Sequence, residues 1–212
     1  GSVSADIARE LKKLPLPEGY TVDFGGENKE MVEAFANLSL VLVFAIALVY
    51  IVMAAQFESL LHPLTIMFSM PLALVGVVLG LGITGKSVSV LTIIGIIVLA
   101  GVVVNNAIVL VDYINNLRKR GLGIKEAILT AGPARLRPIL MTTLTTVLGL
   151  VPLALGLGEG GEVQAPLAIT IIFGLSTSTI LTLIVVPLVY MWFEDIGALL
   201  IRRLPWLSTG RS

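Results

Sequence analysis

The sequence contains no cysteine and a single histidine, and only 13% of its 212 residues are charged. Without cysteine there are no disulfides, no thiolate metal sites and no cysteine nucleophile. One imidazole, His62, cannot assemble a metal site by itself, and no cofactor motif accompanies it, so neither a metal nor a cofactor is expected. The 14 basic and 14 acidic residues cancel to a formal net charge of +0, which leaves no electrostatic footprint for nucleic acid. What remains is 56% hydrophobic, with a mean hydropathy of +0.99, far outside the usual soluble range. The chain is expected in a lipid membrane.

The scarce charges are also unevenly placed. Five stretches carry none: residues 38–55, 64–83, 88–111, 139–157 and 165–193. With a few residues added at their ends, each is long enough to cross ~30 Å of hydrocarbon at ~1.5 Å per residue. Arg118, Lys119, Arg120, Lys125, Arg135 and Arg137 all lie between the third and fourth stretches, against Lys86 alone between the second and third. Retention of basic loops in the cytoplasm therefore puts that loop inside, the N-terminal segment outside and the C-terminus inside. Within the loop, Ile124, Ile128 and Ala131 recur at helical spacing, which predicts a short helix on the inner surface. Tyr190, Trp192 and Trp206 suit an interfacial aromatic belt, and His62 suits a solvated turn before Pro63.

Residues 1–27 read as soluble. Ile7, Leu11 and Leu14 repeat as on a helix, Pro15 and Pro17 stop it, and Tyr20, Val22 and Phe24 alternate as on a strand. One helix and one strand cannot bury a core, so the segment is expected to be the tail of an α/β domain and the chain a piece of a longer protein. The fold class expected is an all-α membrane protein: a five-helix bundle over residues 28–198, that α/β tail before it, and a cytoplasmic tail over 199–212.

Small residues mark candidate helix contacts. Gly76 and Gly80 form GxxxG, Gly95 and Gly101 lie in the third stretch, and Gly174 and Ser178 repeat the four-residue spacing in the fifth. The polar residues are more informative. "GVVVNNAIVLVDY" sets Asn105 and Asn106 side by side in an apolar run, and "MTTLTT" brings Thr142, Thr143 and Thr146 into the next stretch. An unpaired amide in hydrocarbon costs on the order of 2–7 kcal/mol, so these side chains must face protein or water. Interhelical glue and a functional polar pathway both satisfy that requirement.

Two long motifs, "GVVVNNAIVLVDYINNLRKRG" and "RLRPILMTTLTTVLGLVPLALG", resemble the tenth and eleventh transmembrane helices of resistance-nodulation-division (RND) efflux transporters. "PEGYTVDFGGE" resembles the last strand of that family's second porter region, and "AAQFESLLHPLTIM" the following cytoplasmic turn. The likeness implies helices eight to twelve of a proton-driven antiporter for hydrophobic or amphiphilic compounds, in the bacterial inner membrane, preceded by the tail of a ferredoxin-like porter subdomain. It also implies an N-terminal half of the same protein, a homotrimer, and association with a periplasmic adaptor and an outer-membrane channel. Metal-exporting relatives are the alternative, disfavoured because no Met, His or carboxylate cluster occurs in the five stretches. By the same likeness Asn105 takes the place of a relay lysine, Asn106 follows it, Thr142 matches the relay threonine, and Arg135 an arginine at the relay's cytoplasmic mouth. An amide at 105 cannot switch charge, which distinguishes this chain from the lysine-bearing members. The competing reading is a membrane scaffold in which these side chains only lock helices together.

Overall fold

The computed structural model describes residues 27–158 and 160–203, with side chains for 29, 30, 32–158 and 160–193. All of the porter tail expected at residues 1–27 except Glu27 lies outside the described residues, as do Glu159 and Trp206. Among the described residues there are six helices and no strand: α1 Glu27–Phe57, α2 Leu61–Met67, α3 Ser69–Thr84, α4 Val90–Lys119, α5 Ile124–Ala154 and α6 Gly161–Arg203. Five segments of these helices are long and apolar enough to cross a membrane, α2 and α3 counting together as one. Each contains the corresponding charge-free stretch except at its margins, where the third ends in Lys119 and the fourth starts fifteen residues earlier than the charge pattern places it.

Local chemistry sets most of the helix ends. Ser89 caps α4 reciprocally: its Oγ accepts from the Thr92 amide at 3.3 Å while its own amide donates to Thr92 Oγ1 at 3.2 Å. Gly85 ends α3 in the left-handed conformation at φ 65°, a geometry glycine adopts without strain, and its amide closes onto the Leu81 carbonyl. The second span breaks at Phe68 because Pro71 has no amide to give the Met67 carbonyl. Ser69 partly mends the break by donating from Oγ to the Ile66 carbonyl at 2.7 Å.

The surface helix expected near Ile124–Ala131 is not separate. It forms the first turns of α5, which runs without a break through Pro133 and Pro138 into the membrane span. Both prolines lie at the charged end of the helix, where water can reach the carbonyls they leave without donors. The apolar face of this extension packs inward: Ala127 and Ala131 are fully buried beside Ala107, Leu110 and Ile114 of α4.

α6 is the hub, touching α2, α3, α4 and α5. Two buried clusters hold the bundle together. One joins Met53, Ile66, Val104, Leu110, Val186 and Tyr190; the other joins Ala73, Val77, Leu99, Val103, Ile169 and Leu175. Where lipid surrounds the bundle, close van der Waals fit replaces the hydrophobic effect as the cohesive force, and glycine makes the closest fit. An ideal Cβ on Gly76 would stand 2.5 Å from the Phe173 carbonyl oxygen, and one on Gly80 the same distance from Phe173 Cβ. Gly95 meets Thr170 at 3.1 Å, and Gly174 is pressed against Leu99. Gly101 has nothing within 4 Å in this chain.

Candidate functional site

The two adjacent asparagines point to different environments. Asn106 is 9% exposed and lines a narrow crevice with Val103, Ile139, Ser178, Thr179 and Thr182, while Asn105 is exposed. Consecutive helical positions lie about 100° apart, so burying one against α6 turns the other away. The threonines of α5 divide in the same way. Thr143 is buried and shares a hydroxyl hydrogen bond of 3.0 Å with Thr179 of α6. Thr142 is exposed, with its hydroxyl donating to the Ile139 carbonyl at 2.9 Å.

A polar seam therefore runs along α6. Thr179 pairs with Thr143, Ser178 Oγ meets Thr182 Oγ1 at 3.3 Å, and Ser178 also donates to the Ser69 carbonyl at 3.5 Å, beside the break in the second span. The α6 hydroxyls at 179 and 182 were missed in reading the sequence, although "STSTILT" places them at helical spacing. Ser178, read there as a small packing residue, is also a hydrogen-bonding one.

The exposed sides of α4 and α5 are chemically mixed. On α4, Val98, Gly101 and Asn105 form an exposed stripe at steps of three and four. On α5, Pro138, Thr142, Thr145, Gly149 and Pro152 form another at steps of four and three, beside an apolar stripe of Met141, Leu144, Leu148 and Val151. The apolar stripe suits lipid. The two stripes of small and polar residues do not, because hydrocarbon offers neither hydrogen bonds nor the knobs that would fill the notches at Gly101 and Gly149.

Arg135 lies toward the charged end of α5. Its guanidinium carbon sits 4.5 Å from the centre of the Tyr113 ring, and its buried Nε has no hydrogen-bond partner. Stacking on an aromatic face holds the plane of the guanidinium while leaving in-plane N–H groups available, which a lysine cannot imitate.

At the same end the structure corrects two expectations. Tyr190 is 1% exposed rather than interfacial, because its hydroxyl donates to Asn115 Oδ1 at 2.6 Å and accepts from Arg118 at 3.3 Å, satisfying both roles of the phenol in the interior. His62 is not a free loop side chain: its ring stacks on Tyr190 at 5.6 Å and meets Phe57 edge-on at 6.0 Å. Trp192 is 59% exposed, as an interfacial residue would be.

The chain is similar to known proteins over most of its length. The chain is 43% identical over 190 residues to the swarming motility protein SwrC of Bacillus subtilis (strain 168), covering 89% of this chain and 18% of that one. It is 40% identical over 205 residues to the multidrug resistance protein MdtC of Erwinia tasmaniensis, covering 96% and 20% respectively. It superimposes on two crystal forms of a heavy metal efflux pump with TM-scores of 0.80 and 0.78, at 34% and 33% identity, over 91% of this chain and 19% of the pump. The chain thus spans about a fifth of the length of these relatives. The profile of the AcrB/AcrD/AcrF family matches residues 1–194, so the chain belongs to that family of RND transporters and corresponds to part of its membrane domain.

Proposed function

We propose that this chain supplies one side of the proton-coupling interface of an exporter for hydrophobic or amphiphilic compounds, and that the N-terminal half of the same transporter covers the small and polar stripes of α4 and α5. The observation that carries this reading is the exposure of Asn105 and Thr142 on faces that also present Gly101 and Gly149. Such a surface needs a protein partner, and a proton relay needs a titratable group that these amides and hydroxyls do not provide. Acidic side chains on the partner half would supply it. Asn105 and Thr142 would then hydrogen-bond to those carboxyls or to their waters, and Arg135 would hold the inner mouth of the path. Asn106, turned toward α6, stands behind them and keeps the α4–α6 seam in register.

In the orientation proposed, the N-terminal segment is external and the C-terminus cytoplasmic, in the bacterial inner membrane, as part of a homotrimer that engages a periplasmic adaptor and an outer-membrane channel. The relatives divide in substrate, one being named for multidrug resistance and another for heavy-metal efflux. The amphiphile class is favoured here because no group of His, Asp or Glu side chains that could hold a metal ion occurs among the described residues. The test is the full-length transporter in proteoliposomes with an imposed pH gradient. Gradient-dependent movement of an amphiphilic dye, with matching proton counterflow, is expected. Movement of Cu(I) or Zn(II) but of no dye would reassign the substrate class.

The scaffold reading is favoured for one part of the site. The Thr143–Thr179 hydroxyl bond has the form of interhelical glue, and Asn106 is turned inward on the same side.

A further inference from the structure

A second candidate site is a cavity apart from the polar seam. It lies at the basic end of the spans, between the end of α1, the start of α2 and the end of α4, and holds about 620 Å³. That is within the roughly 300–1,000 Å³ typical of small-ligand sites. Its walls carry charges of both signs: Glu58 and Asp112 on one hand, Arg118 and Lys119 on the other, with His62 and Asn116 between. Two anions and two cations give the walls no net sign, so neither a simple anion nor a simple cation is the complementary ligand. A ligand with both charges on one short frame is.

Several features make this a shaped place rather than a loose surface. Arg118 is tethered by donation to Tyr190, whose hydroxyl is fixed in turn by Asn115, and Asp112 accepts from Asn116 at 3.1 Å. The His62 ring is stacked on Tyr190. The turn that closes one side holds Glu58 at φ 48°, a left-handed conformation uncommon for a residue with a side chain. Next to these polar walls, Leu60 and Leu61 are 65% and 48% exposed, and Leu64 one turn further along α2 is 41% exposed. Polar walls beside an apolar rim, at the charged ends of membrane-spanning helices, correspond to the headgroup and upper acyl levels of a bilayer.

We infer that this cavity binds a phosphate ester carrying a primary ammonium, supplied as the phosphoethanolamine headgroup of a membrane phospholipid. The phosphate meets Arg118 and Lys119 through charge-assisted hydrogen bonds, the ammonium meets Asp112 and Glu58, and the acyl chains leave over Leu60, Leu61 and Leu64. Three N–H donors distinguish an ammonium from the trimethylated nitrogen of choline, which has none. The site thereby reads headgroup chemistry as well as charge.

The test is native mass spectrometry of the purified full-length transporter in detergent, titrated separately with dioleoyl phosphatidylethanolamine, dioleoyl phosphatidylcholine, phosphorylethanolamine and inorganic phosphate. The wild type is expected to bind the ethanolamine lipid about tenfold more tightly than the choline lipid, the worth of a hydrogen bond to a charged group. Lys119→Ala should weaken both lipids, and Asp112→Asn should remove the preference between them. Both side chains are exposed, so both variants keep their packing, and equal wild-type elution on size exclusion confirms it. A photoactivatable ethanolamine lipid should crosslink within residues 56–64 or 112–122. Binding unchanged in both variants, or crosslinks elsewhere only, would overturn the site. Phosphorylethanolamine binding as tightly as the lipid would overturn the membrane source and leave a soluble zwitterion.

Discussion

Replacing Gly76 by alanine should weaken the transporter, whereas the same change at Gly82, six residues along the same helix, should not. At Gly76 the added methyl would lie 2.5 Å from the Phe173 carbonyl oxygen and 2.7 Å from Thr177 Cβ. The first of these is backbone and cannot rotate away. Restoring an ordinary contact of about 3.5 Å requires α3 and α6 to part by about 1 Å, and a gap of that size forfeits a quarter to a half of the dispersion well along the seam. Overpacking of this kind costs roughly 1–3 kcal/mol. At Gly82 nothing lies within 4 Å, so alanine adds no clash and gains up to about 1 kcal/mol of helix propensity. The measurement is the melting profile of each full-length variant in one detergent, followed by size exclusion after a temperature ramp. A clearly lower midpoint for Gly76→Ala beside an unchanged one for Gly82→Ala is expected. Equal midpoints would refute the close α3–α6 seam.

Three further outcomes follow from the same structure. Single cysteines on the cysteine-free chain, within the full-length protein in intact cells, should react with an impermeant thiol reagent at positions 86 and 160 and not at 59 or 119; the reverse pattern would invert the orientation. A double-mutant cycle of Thr143→Val and Thr179→Val should give a coupling of about 0.6–1.7 kcal/mol in unfolding, as expected of a hydroxyl pair in a membrane bundle, and a value of zero would deny the bond. Arg135→Lys should reduce transport severalfold although charge is retained, because an ammonium cannot keep the planar stack on Tyr113; wild-type transport would show that charge alone suffices.

The helical architecture was legible because charge is excluded from hydrocarbon: each of the five uncharged stretches falls, but for two or three residues at one end of the third and fourth, inside a span-length helical segment. The continuity of α5 was not. The turns around Ile124, Ile128 and Ala131 read as a separate surface helix, and the burial of Ala127 and Ala131 against α4 explains why they join the span through Pro133 and Pro138 instead. The polar site was half legible. A run such as Asn105–Asn106 or Thr142–Thr143 announces that one side chain must face inward, but the choice depends on neighbours far along the chain. Here Thr179 and Ser178 on α6 decide it, drawing in Thr143 and Asn106 and leaving Thr142 and Asn105 outside. Gly101 was grouped with the packing glycines by its residue type, yet no side chain of this chain fills its notch. Tyr190 looked interfacial because aromatic residues near span ends usually are, and its partners Asn115 and Arg118 lie more than seventy positions away.

The account stands on the claim that the open face of α4 and α5 takes part in proton coupling with a partner half. Its most direct test is efflux by the full-length transporter in energised vesicles, with rates normalised to assembled protein, for Asn105→Leu with Thr142→Val compared against Thr143→Val. The outward pair should lose most proton-coupled efflux while assembly is preserved, because the carboxyls it faces lose their hydrogen-bond partners. The inward Thr143→Val should transport near the wild-type rate and differ only in stability. Wild-type efflux from the outward double variant would contradict the claim and leave these side chains as contacts between helices.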